Sequence, residues 1–382
     1  MVESKQAVQQ FADACIRCGI CAQTDCGNFS QGTPCLGDIC ESWLNGEETY
    51  FSFPFTCALC NRCTVNCPVD LKANAATKPL RAIGQSKYPQ LRENYRHFRT
   101  DLKYNLFSLL ISKRGGNPAD VVLIEGDTGI SDEADATAFF PGCSLNAYAP
   151  ELTDLTFDWL KSEGIAARKL NFCCGATFFD TGFFDEFIEF RKGVVDFLAE
   201  QGIKRVVICC PHCAHILPET FEGADIELVR LTDLLLERDV VCFDEFKYSI
   251  HDACYDREEG LFGDAVRKLF ASCEEVPLPH DRKDTICCGG GGMVSAYARD
   301  FCEYRRNMRL AEIDSVDTDV ILSTCFSCVN SMQRGESSVP VKHYLELLFG
   351  YDVDWNQVYS SVDEMYADTL CRSLLNTTDT LF

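Results

Sequence analysis

Two cysteine-dense stretches open the chain. CIRCGICAQTDC carries Cys15, Cys18, Cys21 and Cys26, and CALCNRCTVNCP carries Cys57, Cys60, Cys63 and Cys67, followed by Pro68. Thiolates at i, i+3 and i+6 reach three corners of a cube of iron and sulfide, and the loop aims backbone N–H groups at the cluster sulfurs. The fourth cysteine lies too far round the turn for its own cluster and completes the neighbouring one. On that reading Cys67 completes the Cys15/Cys18/Cys21 cluster, and Cys26 completes the Cys57/Cys60/Cys63 cluster. The first pattern departs from the second: four residues separate Cys21 and Cys26, and Gly27 stands where the proline would be. Cys35 and Cys40 are close enough in sequence to replace Cys26. C-x-x-C pairs also suit tetrahedral zinc. Three cysteines at three-residue steps, twice, with Cys-Pro, favour two cubane [4Fe–4S] clusters that pass single electrons.

A second cysteine pattern occurs twice. The first copy has Cys143 in FFPGC, Cys173 and Cys174 in NFCCGA, and Cys210 and Cys213 in VVICCPHC; the second has Cys254 in SIHDAC, Cys287 and Cys288 in TICCGGGG, and Cys325 and Cys328 in VILSTCFSC. Cys143 to Cys174 spans 31 residues and Cys254 to Cys288 spans 34; Cys174 to Cys210 spans 36 and Cys288 to Cys325 spans 37. Matched landmarks at this period imply a duplication, and the period is too long for a solenoid.

The elements that must position these thiols are short. Arg205–Cys209 and Asp319–Ser323 read as buried strands ahead of the cysteines. Phe184–Gln201 has apolar residues at helical spacing and is stopped by Gly202. Alternating strands and helices predict a mainly parallel α/β sheet in each copy, with ligands at the carboxyl ends of the strands, where the cysteines fall. The predicted organisation is an α+β ferredoxin-like or helical two-cluster domain over 1–100, a turn-rich linker over 101–135, α/β repeats over 136–240 and 241–350, and a peripheral acidic tail over 351–382.

C-x(about 30)-CCG-x(about 35)-C-x-x-C resembles the CCG-domain proteins. These include the catalytic subunits of heterodisulfide reductase and the iron–sulfur subunits of anaerobic glycerol-3-phosphate, lactate and glycolate oxidation. The layout looks like the fused form of the heterodisulfide reductase catalytic chains, and like the iron–sulfur component of anaerobic glycerol-3-phosphate dehydrogenase. The resemblance implies two noncubane [4Fe–4S] clusters, each held by five cysteines. Cys143, Cys173, Cys174, Cys210 and Cys213 would hold one, and Cys254, Cys287, Cys288, Cys325 and Cys328 the other. Both sets are complete, which favours disulfide chemistry over a bare relay. The second copy reads HDACY, where many relatives have proline and histidine. Cys209 is an extra thiol able to swap in. His212 and His251 are candidates to donate protons to a leaving thiolate.

Other features bound the reading. Gly289–Gly292 lacks the Lys-Ser/Thr of a phosphate loop, and these glycines are expected to let the backbone approach a cluster. Cys242, Cys273, Cys302 and Cys371 are isolated and read as small apolar residues. The formal net charge of −23 argues against nucleic acid. Lys72–Arg114 is basic, either a solvated surface or a docking face. No basic, apolar leader opens the sequence and no apolar run nears bilayer length, so a cytoplasmic chain, peripheral at the membrane only through a partner, is expected. Without a flavin or nicotinamide fingerprint, electrons are expected to pass to or from a flavoprotein or membrane cytochrome in a hetero-oligomer. Two functions follow: reduction or formation of a small disulfide or thiol, or electron relay for a flavin dehydrogenase.

Overall fold

The apolar runs ahead of the repeated cysteines become the central strands of two sheets. The computed structural model describes residues 2–24, 26, 28, 34–47, 49–126, 136–242 and 244–382. The first sheet comprises β1 (Ile124–Gly126), β2 (Thr137–Phe140), β3 (Arg168–Leu170), β4 (Arg205–Ile208) and β5 (Glu227–Arg230), in the order β1-β3-β2-β4-β5. The second comprises β6 (Lys247–His251), β7 (Glu274–Glu275), β8 (Val320–Ser323) and β9 (Val341–His343), in the order β7-β6-β8-β9. All pairings are parallel except β1 with β3. Leaving out β1, the two orders are the same, so the duplication in sequence is a duplication in topology.

Register sets the height of the cysteines. Phe140 pairs with Ile208, and His251 pairs with Ser323. In each copy the chain leaves the first of these strands three residues before Cys143 or Cys254, and the second two residues before Cys210 or Cys325. The strand order reverses between β2 and β4, and between β6 and β8, which is where open parallel sheets form a crevice.

Side-chain alternation along the strands builds the layers. Phe139 and Val207 face a core shared with Tyr248, Ile250 and Leu322 of the second sheet. Ala138, Phe140, Val206 and Ile208 face the other way, onto Phe187, Val194 and Leu198 of the helix Phe184–Glu200. The common core makes the two repeats one packed unit.

The described residues between 2 and 98 form helices and no strand, which is the helical one of the two expected arrangements. Two expectations about the remaining chain need correction. The stretch read as a linker contains a buried helix, Leu106–Arg114, capped by the reciprocal Asn105–Ser108 hydrogen bonds, and the edge strand β1; residues 127–135 lie outside the described part. The stretch read as a peripheral acidic tail holds the helices Trp355–Ala367 and Thr369–Leu375. Met365, Cys371 and Leu375 pack on Leu106, Leu109 and Leu110, and Phe382 packs on Phe172, Phe190 and Phe197. The acidic side chains mask a thin apolar stripe that buries the segment.

Candidate metal centres

Local backbone geometry explains why each repeat gathers its thiols. Cys210 and Cys325 are the residues immediately before the helices Pro211–Thr220 and Phe326–Met332, and Cys213 and Cys328 lie in their first turns. Cys143 opens the helix Cys143–Tyr148. A helix N-terminus favours the thiolate. The glycine of each Cys-Cys-Gly triplet is left-handed, with φ +88° at Gly175 and +83° at Gly289, a turn that side chains resist. At the second triplet, the amides of Gly289 and Gly290 donate to the Sγ atoms of Cys287 and Cys288 at 3.3 and 3.4 Å.

The thiols form two groups of five neighbours. In the first, Cys143 meets Cys173, Cys173 meets Cys174, Cys174 meets Cys213, and Cys213 meets Cys210. In the second, Cys254 meets Cys287, Cys287 meets Cys288, Cys288 meets Cys328, and Cys328 meets Cys325. The groups then join, because Cys210 meets Cys325. Hydrogen bonds from neighbouring thiols hold Cys173, Cys288 and Cys325 well below the ordinary thiol range. The same bonds, then burial, push Cys143, Cys213, Cys254 and Cys328 well above it. Ten crowded thiols cannot all ionise unless cations offset the charge, and that donor set fits iron–sulfur clusters. Cys209 stands apart: its thiol donates to the Pro141 carbonyl at 3.2 Å within the shared core.

Two smaller cavities lie in the N-terminal part. Cys15, Cys18, Cys21 and Cys67 line one, with Cys35 and Cys63 beside them; Cys26, Cys57, Cys60 and Cys63 line the other. The Leu36 amide donates to Cys21 Sγ at 3.5 Å, the Leu71 amide to Cys67 at 3.4 Å and the Asn28 amide to Cys26 at 3.4 Å. The Cys35 thiol donates to Asp38 at 3.1 Å, and burial pushes it up to about 12. Cys40 is fully buried among Val8, Phe11 and Ile39.

The second N-terminal loop is joined to the second repeat. Cys60 meets Cys287. A Cβ on Gly292 would stand 2.6 Å from the Cys57 carbonyl, and one on Gly291 would stand 2.5 Å from that of Ala58. These glycines therefore admit the N-terminal loop. Arg257 donates to the Cys60 carbonyl at 3.0 Å and Arg305 to the Cys26 carbonyl at 2.8 Å. The buried Arg81 donates to the carbonyls of Pro54, Cys57, Asp180 and Gly292 at 2.6–2.8 Å. Part of the basic stretch is thus an internal docking face: Lys78 also pairs with the buried Asp180 at 2.7 Å.

Between the repeats lies a cavity of about 1140 Å³. Nine of the ten thiols line it, Cys287 being turned toward Cys60. His212, Tyr255 and Asp180 form one wall. His212 Nε2 lies 3.0 Å from Asp180 Oδ2, the Tyr255 hydroxyl donates to the same oxygen at 2.6 Å, and the two rings stack at 3.7 Å. Burial would raise the Asp180 carboxyl, but Lys78 and His212 hold it well below the usual carboxylate range. Sequence reading found His212 and missed Asp180, Tyr255 and Lys78; the tyrosine beside Cys254 was the available signal. The position of His251 corrects its candidacy as a donor to substrate. It is buried outside the cavity lining, its Nδ1 accepts from Arg309 Nε at 3.0 Å, and burial and Arg309 lower it to about 3. It sits instead against Cys288 and Cys328.

Residues 137–217 and 248–333 each match the cysteine-rich CCG domain. The chain therefore carries that domain twice, and the domain suggests an iron–sulfur electron-transfer role. Among solved structures, the chain is similar to glutamate racemase isoform RacE1 from Bacillus anthracis, at 12% identity over 64% of this chain and 84% of that one, with a TM-score of 0.29. It is also similar to Picrophilus torridus aspartate racemase, at 14% identity over 58% of this chain and 98% of that one, with a TM-score of 0.26. Likeness at that level carries no argument. No curated protein matches the chain. No helix among the described residues is long and apolar enough to cross a membrane.

Proposed function

We propose that the chain is a heterodisulfide-reductase-like component that reduces or forms a small disulfide in the cavity between the repeats. The observation that carries this is the meeting of two five-thiol groups, through Cys210 and Cys325, with nine of the ten thiols in the lining of one cavity. In this reading each group holds a noncubane [4Fe–4S] cluster. Cys15, Cys18, Cys21 and Cys67 hold one cubane cluster, and Cys26, Cys57, Cys60 and Cys63 hold another. When bound, the clusters supply single electrons and sites for sulfur.

Reduction of R–S–S–R′ consumes two electrons and two protons, breaks the sulfur–sulfur bond and leaves two thiols. The electrons come from a redox partner, a flavoprotein or a cytochrome, in a hetero-oligomer. That partner docks where Ile16, Ile20 and Val69 stand exposed around the exposed Cys18. Protons come through the His212–Asp180–Tyr255 wall: Asp180 holds the imidazole by Nε2, leaving Nδ1 to exchange a proton with the cavity. Tyr255 packs flat on the ring and fixes its plane.

The test is disulfide reduction by anaerobically purified protein with a reduced dye as donor, in wild type and Cys288→Ala. Activity in wild type and its loss in the variant are expected. Full iron content with no activity in wild type favours the alternative, an electron relay serving a flavin dehydrogenase.

A further inference from the structure

The two repeats share a topology but not the surroundings of their thiols. β2 ends at Phe140 and β6 at His251, and each of these residues precedes the first cysteine of its repeat by three positions. Phe140 belongs to the apolar cluster that includes Cys174 and Cys213. His251 stands against the matching pair in the second repeat. A nitrogen of its ring and the Sγ atoms of Cys288 and Cys328 all lie within 4.8 Å of one another. The same strand-end position therefore carries a phenyl group in one repeat and an imidazole in the other.

The imidazole is fixed from behind. Arg309 Nε donates to His251 Nδ1 at 3.0 Å. A guanidinium only donates, so this Nδ1 carries no hydrogen and the ring keeps its N–H at Nε2. A ring in that tautomer is a hydrogen-bond donor to sulfur rather than a ligand to iron. Arg309 is held in turn, donating to the His280 carbonyl at 2.8 Å and pairing with Glu312 at 2.9 Å. His251 and Arg309 are both buried, so solvent screens little of their field. The first repeat lacks the cation as well as the imidazole. Its helix Phe184–Glu200 buries Phe187, Phe190, Val194 and Leu198, whereas the helix Arg299–Ile313 buries Arg305 and Arg309 beside Leu310 and Ile313.

We infer that, given the clusters proposed above, Arg309 and His251 form a donor relay to the sulfurs of Cys288 and Cys328 that raises the reduction potential of the second repeat's cluster alone. His251 is a positioning residue: it never meets the disulfide. Hydrogen bonds to sulfur stabilise the extra negative charge of a reduced cluster and are among the factors that set its potential. The cluster gains one electron while the imidazole keeps its proton. The tuned site adjoins the N-terminal loop, because Cys60 neighbours Cys287.

The test is anaerobic potentiometric titration of the cluster-loaded full chain, followed by absorbance and electron paramagnetic resonance, in wild type, His251→Phe and His251→Gln. The first substitution copies the first repeat. The second keeps an acceptor for Arg309 and an N–H for sulfur. In His251→Phe one cluster is expected to become at least about ten-fold harder to reduce at a given potential, a fall of ~59 mV or more in its midpoint. The other midpoints are expected to stay unchanged. His251→Gln is expected to recover more than half of the fall. Wild type labelled with nitrogen-15 histidine is expected to show, by electron spin-echo modulation, an imidazole nitrogen coupled to a reduced cluster, and His251→Gln to lose that coupling. In a chain loaded with about sixteen irons, an unchanged midpoint in His251→Phe, an equal fall in every cluster, a fall as large in His251→Gln, or no coupling that depends on His251 overturns the inference alone. If His251→Phe fails to fold or load, His251→Gln and the nitrogen coupling decide. Loading of only about eight irons in wild type refutes the clusters at the repeats, and the relay with them.

Discussion

Replacing Arg81 by methionine removes a side chain that ties the N-terminal helices to both repeats. Its guanidinium donates four hydrogen bonds, to carbonyls at 54, 57, 180 and 292, from a side chain with no solvent exposure. A hydrogen bond to a charged group contributes ~1.5–3 kcal/mol, so four at the low end come to about 6 kcal/mol. Removing the cation also removes the cost of burying it, which lowers the net loss to about 4 kcal/mol. Unfolding entropy near ~2.1 cal/mol/K per residue over 382 residues gives about 0.8 kcal/mol/K, and hence a fall in midpoint of about 5 °C. The assay is anaerobic thermal unfolding followed by circular dichroism at a fixed scan rate, on protein with matched iron content. Arg81→Lys keeps the charge but cannot reach all four carbonyls, so it is expected to recover less than half of the loss. A midpoint for Arg81→Met within about 1 °C of wild type refutes the account of Arg81 as the joint between the three regions.

Two further outcomes test separate parts of the structure. Cys26→Ser is expected to lose about four irons per chain and Cys35→Ser none, measured by iron and sulfide analysis after anaerobic reconstitution; the opposite result makes Cys35 the ligand. Asp180→Asn is expected to lower stability at pH 7 by leaving Lys78 buried without its partner. Because the carboxyl is held below its ordinary value, its contribution is present above the unfolded-state value near ~4 and is lost only as pH falls through the lower folded value. The stability gap from wild type should therefore stay constant between pH 8 and pH 5, and a gap that closes within that window contradicts the assignment.

The features legible in the residues alone are local. Each of the ten repeat cysteines lies within three residues of a strand end, in the first turn of a helix or in a glycine turn, so the spacing displays the two matched sets. The buried strands at Val206–Ile208 and Val320–Ser323, the helix from Phe184 and the duplicated parallel sheets all follow from apolar runs that a single stretch of chain displays. Which sets meet depends on how the repeats pack. Cys210 and Cys325 come from different repeats, 115 positions apart, and touch because the repeats share one core. The same holds for charge. Arg81, Lys78 and Asp180 read as ordinary polar residues, since nothing in their neighbours' identity reveals that carbonyls and counter-charges from distant segments enclose them. The acidic C-terminal segment misleads for a related reason: Met365, Cys371 and Leu375 are too widely spaced to outweigh their charged neighbours in composition. Burial depends on the groove beside Leu106–Arg114 that receives them. The joint at Gly291 and Gly292 was read as space for a cluster. It is space for another part of the chain, because a missing side chain records that something approaches but not what does.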